Sequence, residues 1–312
     1  MSGTGTGGGA EAALDAVSAD LALRPADWPV LLAGPTASGK SALALAVGAR
    51  HGGTIVNADA LQVWSVWRIL TARPSPADEA AAPHALYGHV PPGEAYSAGR
   101  WLREAGAVLA ALGAKGERVI VTGGTGLYLS ALTEGLAEIP PTPPEVRAEA
   151  TARVAAEGPG ALLAELDDAT AARIDRRNPA RVMRAWEVLR TTGEGLAAWQ
   201  DRTGPPLLPP AAASAFVLHA DRDRLAARID RRFTAMVGAG AIAEVRAASG
   251  IWDPSAPWAQ AIGARELIAH LAGETDLAAA VTLAQAATRQ YAKRQRTWFR
   301  ARMRKWRQLP AP

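Results

Sequence analysis

One stretch, Gly34-Pro-Thr-Ala-Ser-Gly-Lys40-Ser41, limits the folds open to this chain. It follows the short apolar run Val30-Leu-Leu-Ala33 and precedes an alanine-rich segment with helical spacing from Ser41 to Ala49. Strand, glycine loop and helix in that order are the setting in which G-x-x-x-x-G-K-[ST] cradles phosphate. The glycines let the backbone curl around one anion, and the helix N-terminus adds partial positive charge. Gly34, Pro35, Thr36, Ala37, Ser38, Gly39, Lys40 and Ser41 are therefore the expected diphosphate-binding residues. Ser41 is also the expected magnesium ligand, its hydroxyl on an ion that bridges the phosphates. The chain has four lysines against thirty arginines, so a lysine at this position is not compositional drift. An ordinary glycine-rich turn is the competing reading, and the flanks and spacing argue against it. The loop specifies a polyphosphate, not what is done with it.

A chain of 312 residues suits two domains, or one large α/β domain carrying an insertion. No run approaches the ~20 apolar residues of a membrane span. Residues 1–27 lack the charged start and apolar middle of a signal peptide and read as a mobile leader. The absence of cysteine excludes disulfides, thiolate metal sites and cysteine catalysis. A cytoplasmic monomer with no membrane association is the expectation. Net charge is only +4, but its distribution is informative. After Asp276 no acidic residue occurs, while Arg289, Lys293, Arg294, Arg296, Arg300, Arg302, Arg304, Lys305 and Arg307 crowd the end. One-signed clustering of this kind marks a polyanion partner.

Further along, Gly53 to Ala58 reads as a second strand ending at Asp59, and Ala60 to Trp67 has turn or helical character. Residues 71–94, rich in proline and small residues, read as a surface loop over the site. Tyr96 to Leu112 is expected to be a helix, and Arg118-Val-Ile-Val-Thr122 a buried strand running into Gly123-Gly-Thr-Gly126 and another helix. The alternation indicates an α/β fold, a P-loop NTPase-like parallel sheet flanked by helices. Proline clusters at 139–144 and 204–210 border a stretch with no strand pattern, an inserted all-helical subdomain over 141–210. The core then comprises 28–140 and 211–312, with a strand at Ala215 to His219 and a long basic helix from Asp276 to Trp306.

Several residues can carry chemistry. Asp59, at the end of a parallel strand, faces the ligand crevice of such a fold. Gln62, three positions on, suits the N6/N7 edge of adenine, and an aspartate can accept a proton from an exocyclic amine. Equally open is that Asp59 binds metal or caps a helix and Gln62 is merely polar. The turn at 123–126 puts its amides and the Thr125 hydroxyl near the anion or the acceptor, on weak evidence by itself. No aspartate follows Arg118 to Thr122, which lowers the reading as an ATP-hydrolysing engine. Arg177, Arg181 and Arg184 recur at helical spacing, as an RNA-facing stripe or a solvated basic face. Arg228 and Arg232, one helical turn apart, are expected as a second clamp on the diphosphate. Tyr291, Trp298, Phe299 and Trp306 interleave with the terminal cations, either to stack bases or to pack that helix on the core. The five histidines form no metal-ligand spacing.

Taken together, Gly34 to Ser41, Asn57-Ala-Asp59 with Gln62, Thr71-Ala-Arg-Pro74 and Gly123 to Tyr128 resemble the tRNA dimethylallyltransferases of the IPP transferase family. Arg181 through Val188, Ala261-Ile-Gly263 with Glu266, and Thr288 to Gln295 with Thr297 to Arg300 extend the likeness from about Pro29 to Trp306. The resemblance implies that the loop holds dimethylallyl diphosphate with Mg2+, and that the acceptor is the adenosine beside the tRNA anticodon. It implies that Asp59 is the base on the adenine N6 amine and that Thr125 contacts substrate at the reacting centre. It further implies tRNA contacts from Asp59, Ala60, Leu61, Gln62, Thr125, Arg147, Ala180, Arg181, Val182, Met183 and Arg184. The chain departs from the family pattern at Trp64, where tyrosine is usual, at Arg73, which replaces a lysine, and at Ala180, often glutamine. Two rivals share parts of the pattern, a small-molecule kinase using ATP and a non-catalytic RNA-binding module.

Overall fold

The computed structural model describes residues 7–311. Among them six strands form one sheet: β1 (Val30–Ala33), β2 (Thr54–Asn57), β3 (His84–Ala85), β4 (Val119–Gly123), β5 (Ser214–His219) and β6 (Arg307–Pro310). The order is β3-β2-β4-β1-β5-β6, and every neighbouring pair is parallel. Parallel strands covered on both faces read as continuous apolar runs, and β1 and β4 are buried along their whole length. Alternate residues feed two cores. Leu31 and Ala33 pack with Val121, Val217 and Phe299 on one face, while Val30 and Leu32 pack with Ile120, Phe216 and Leu43 on the other.

Helices α1 (Gly7–Leu21), α2 (Lys40–His51), α3 (Pro76–Ala81), α4 (Ala98–Gly113) and α5 (Gly126–Glu134) accompany the first four strands. Within the leader expected to be mobile, Gly7–Leu21 form a packed helix. Ala13, Val17 and Leu21, four residues apart, are buried in the Leu43 core. Ser18 Oγ meets His51 Nε2 at 2.8 Å, and Arg50 donates to Asp15 at 2.9 Å. The Gly/Thr-rich opening hid this short stripe; residues 1–6 lie outside the described residues. The segment 71–94, read as loop, contains α3 and β3, and α3 starts with a capping box between Ser75 and Asp78.

The chain divides into two compact units, residues 134–207 and the remainder. The smaller unit contains α6 (Pro144–Glu157), α7 (Pro159–Ala164), α8 (Asp168–Arg173), α9 (Pro179–Thr192) and α10 (Leu196–Asp201), and no strand among the described residues. Its bounds fall earlier than the expected 141–210. At the far border the Leu208 N–H donates to the Leu132 carbonyl at 3.0 Å, and the Leu208 side chain is buried in the larger unit's core. The larger unit closes with α11 (Arg222–Gly238), α12 (Ala241–Ala248), α13 (Ala264–Leu271) and α14 (Leu277–Arg302). α14 stops four residues before the expected end, and the chain turns into β6, an edge strand ending in proline. No helix among the described residues is long and apolar enough to cross a membrane.

Candidate active site

The ends of β2, β4, β1 and β5 lie side by side at the C-terminal edge of the sheet, where such folds bind ligands. After β1 the loop closes with the Ser38 N–H on the Pro35 carbonyl at 3.2 Å. Gly39, at φ 89°, takes the left-handed conformation that lets α2 begin directly at Lys40. No side chain caps α2, so its first N–H groups are left for a ligand. The Lys40 ammonium has its pKa lowered to about 8, mainly by burial; Asp59 opposes the shift and Arg232 adds to it.

Asp59 is positioned by Asn57, the last residue of β2. Asn57 Oδ1 accepts from the Asp59 N–H at 2.8 Å, and its Nδ2 donates to the Asp59 and Leu86 carbonyls at 3.0 Å each. Trp101 Nε1 fixes the Asn57 carbonyl at 2.8 Å. The carboxylate of Asp59 accepts from the Leu61 N–H through Oδ1 at 3.0 Å, which leaves Oδ2 for chemistry. From the neighbouring turn, Thr125 Oγ1 accepts from the Ala60 N–H at 2.9 Å. Arg232, on α11, is half-buried beside this group: desolvation lowers its pKa and the Asp59 charge opposes the shift.

Two adjoining cavities meet here. The larger, about 460 Å³, is lined by Gly39, Lys40, Ser41, Ala42, Gln62, Ala72, Arg228 and Arg231. The smaller, about 70 Å³, is walled by Leu61, Leu70, Ile229, Phe233, Met236, Ile262, Thr288 and Tyr291. Thr36, Ala37, Asp59, Thr71 and Arg232 border both. A cationic cleft therefore opens into an apolar slot, with one carboxylate at the junction.

A family model described as IPP transferase matches residues 62–302. Over 288 residues the chain is 63% identical to a tRNA dimethylallyltransferase of Cereibacter sphaeroides, covering 92% of this chain and 90% of that one. The chain belongs to the IPP transferase family. A tRNA dimethylallyltransferase of Paracoccus denitrificans is 62% identical over 281 residues, covering 89% of this chain and 93% of its own. Among solved structures, the tRNA isopentenylpyrophosphate transferase of Bacillus halodurans superposes with a TM-score of 0.64 at 29% identity, covering 91% of this chain and 90% of that chain. A eukaryotic dimethylallyltransferase crystallised with tRNA shares the fold at a TM-score of 0.75 and 23% identity, covering 91% of this chain and 74% of its own. The phosphate loop at 34–41 lies before the span matched by the family model.

In this IPP transferase the structure brings together the phosphate loop, Asp59, Arg228 and Arg232 along the cleft, with Thr125 lining neither cavity but holding the Ala60 N–H next to Asp59, and it corrects other expectations. Gln62 does not present a free amide to adenine: its Nε2 donates to the Thr71 and Ala72 carbonyls at 2.8 and 2.9 Å. Leu61 lines the apolar slot, and the Ala60 N–H is taken by Thr125. Within the helical unit Val182 is fully buried with Ala150, Leu162 and Trp186, and Met183 packs against them. A side-chain contact of Val182 with RNA is thereby excluded. Arg147 and Arg184 both approach the buried Glu187 at 3.6 Å, and Arg184 also donates to Thr142 Oγ1 at 2.6 Å. Ala180 and Arg181 are exposed. Arg177 precedes the Asn178 cap of α9, so it does not continue the Arg181–Arg184 row on one helix. In the C-terminal segment, Phe299 and Trp306 are buried and Trp298 packs against the same core, while Lys293, Arg294 and Arg300 face out.

Gln295 and Glu244 of this IPP transferase site were missed from sequence as individuals, while Tyr291 was named only as a stacking or packing aromatic. Gln295, nearly buried on α14, accepts from the Thr36 N–H at 2.8 Å and donates to the Gly124 carbonyl at 2.9 Å, tying the phosphate loop to the β4 turn. Tyr291, one turn earlier, reaches Thr125 and Gln295, and burial pushes its hydroxyl pKa up. Glu244 on α12 accepts from the N–H groups of Arg68, Ile69 and Leu70 at 2.6, 2.9 and 2.9 Å, fixing the strap that carries Leu70 and Thr71. A buried glutamine inside a cation-rich helix was the available signal for Gln295; nothing in the sequence pairs Glu244 with residue 68.

Proposed function

We infer that this chain is a tRNA dimethylallyltransferase, moving a dimethylallyl group from dimethylallyl diphosphate to N6 of adenosine 37, next to the anticodon. The observation that carries this reading is the cationic cleft joined to an apolar slot with Asp59 at the junction. A diphosphate suits the first compartment, a short branched hydrocarbon suits the second, and the base faces the bond between them.

The N6 lone pair attacks C1 as the C1–O bond breaks, and the diphosphate leaves with the bonding pair. Amides of residues 34–41, Lys40, Arg228 and Arg232 stabilise the charge that grows on the leaving oxygen. Asp59 Oδ2 takes the N6 proton, while Asn57 and the Leu61 N–H keep the carboxylate aimed. Thr125 acts through the backbone, holding the Ala60 N–H and so the turn that carries Asp59. Adenine must leave its stack to arrive, at a cost of a few kcal/mol. Exposed Arg181 and the outward cations of α14 supply the phosphate contacts that offset it.

Magnesium fits this donor set in one way. Among the described residues no group of three acidic or histidine side chains stands ready to hold a metal. Ser41, exposed in the cleft, would hold the ion together with phosphate oxygens and water, the usual coordination of this cation. Bound there, it adds positive charge to the leaving group.

The test is incubation of the protein with tRNA, Mg2+ and dimethylallyl diphosphate, followed by mass spectrometry of the digested nucleosides. The expected product is adenosine heavier by one dimethylallyl group, at the position beside the anticodon. An unmodified digest, or a phosphorylated product when ATP is supplied instead, would overturn the reading.

A further inference from the structure

The walls of the apolar slot differ in how far they can yield. α11 presents two adjacent rows to the site: Arg228 and Arg232 to the cleft, and Ile229, Phe233 and Met236 to the slot. One helix thus lines both compartments and fixes their spacing. Phe233 is only 4% exposed. Behind its ring stands Gly263, the residue that opens α13 at φ 96°. A Cβ added there would lie 2.5 Å from Phe233 Cε2, 2.8 Å from Cζ and 3.3 Å from a Leu70 methyl. The ring tip is therefore seated against backbone, not against a side chain that can swing away. The Gly263 N–H is itself held by Glu266 at 3.1 Å. Leu70, whose methyl lies beside the same Gly263 position, hangs from the strap that Glu244 fixes through three N–H groups.

We propose that Phe233, braced by Gly263 and Leu70, is the end wall that limits the transferred group to five carbons, so that longer allylic diphosphates are refused. This rests on the reading of the slot as the hydrocarbon compartment. The reaction with a ten-carbon donor would be the same: N6–C1 forms, C1–O breaks, the proton goes to Asp59 and diphosphate leaves. What differs is that the second isoprene unit would have to occupy the volume of the Phe233 ring. The ring cannot retreat without displacing the start of α13.

The experiment offers the wild type and the variants F233A, F233L and M236A dimethylallyl diphosphate and geranyl diphosphate side by side, with tRNA as acceptor. Adducts are read by nucleoside mass spectrometry and kcat/KM for each donor. The wild type should form the five-carbon adduct alone. F233A and F233L should form the ten-carbon adduct, with the ratio of the two kcat/KM values moved toward the longer donor by about ten- to a hundredfold. M236A, at a partly exposed position, should move it less. F233L keeps the test standing if removal of the whole ring unfolds the protein. Variants that retain five-carbon transfer yet gain no ten-carbon product would overturn the end wall alone. So would a wild type that accepts both donors equally. A wild type inert with dimethylallyl diphosphate would instead remove the functional reading, and this inference with it.

Discussion

Asp59 is held by three contacts, two with the Asn57 side chain and one from the Leu61 N–H, and Thr125 holds the next residue through the Ala60 N–H. If Asp59 is the base proposed above, its loss acts on the proton transfer and not on affinity. Asp59→Ala should lower kcat by roughly two to four decades with tRNA affinity unchanged, as single-turnover kinetics and filter binding would report. A second expectation concerns pH. Lys40 falls from 10.5 to about 8 because burial disfavours its charge, and a polyanion in the cradle favours that charge again. Affinity for inorganic diphosphate should therefore be full below pH 8 and decline above it, by up to roughly tenfold per pH unit. Lys40→Arg keeps its charge throughout, so calorimetry on that variant should show a flatter profile between pH 7 and 9.5.

At the level of elements, α1 supports the sheet from a distance. Leu21 is 4% exposed at the end of the helix. Leu21→Ala should cost about 2 kcal/mol, the low end for a buried leucine, read as a shift in denaturant midpoint with KM and kcat unchanged. This helix also shows where reading the sequence stops. The phosphate loop was legible because loop, strand and helix are contiguous, and Asp59 because a strand end places it without knowledge of contacts. The apolar slot was not legible: Leu61, Leu70, Phe233 and Ile262 are far apart in the chain, and only the fold brings them to one wall. For Gln62, left open between an adenine contact and a merely polar role, the partners of its Nε2, the Thr71 and Ala72 carbonyls, are backbone atoms with no sequence signature. Val182 was carried over by position in a motif, whereas its neighbours in α9 show it to be core. β6 escaped because four residues ending in proline do not announce a strand.

On the scale of the whole molecule, two compact units have separate cores. The helical unit's core is built on Ala150, Leu162, Val182 and Trp186, while Arg181 stands exposed. These neighbours should part company on mutation. Arg181→Ala should weaken tRNA binding and reduce the salt slope of log K by about one, with the melting temperature unchanged. Val182→Ala should lower the melting temperature and leave the salt slope alone. Gly39 carries a different consequence for the protein as a whole. Its carbonyl accepts from the Leu43 N–H at 3.0 Å, but it has no side chain to cap α2, so the N–H groups that open the helix gain partners when an anion is brought from outside. Substrate and thermal endurance are thereby coupled: the protein should tolerate heat better when its cradle is filled. At a hundred times the dissociation constant, inorganic diphosphate should add about 2.7 kcal/mol to unfolding, visible as a raised transition in calorimetry, so that a cell rich in donor would also hold a longer-lived enzyme.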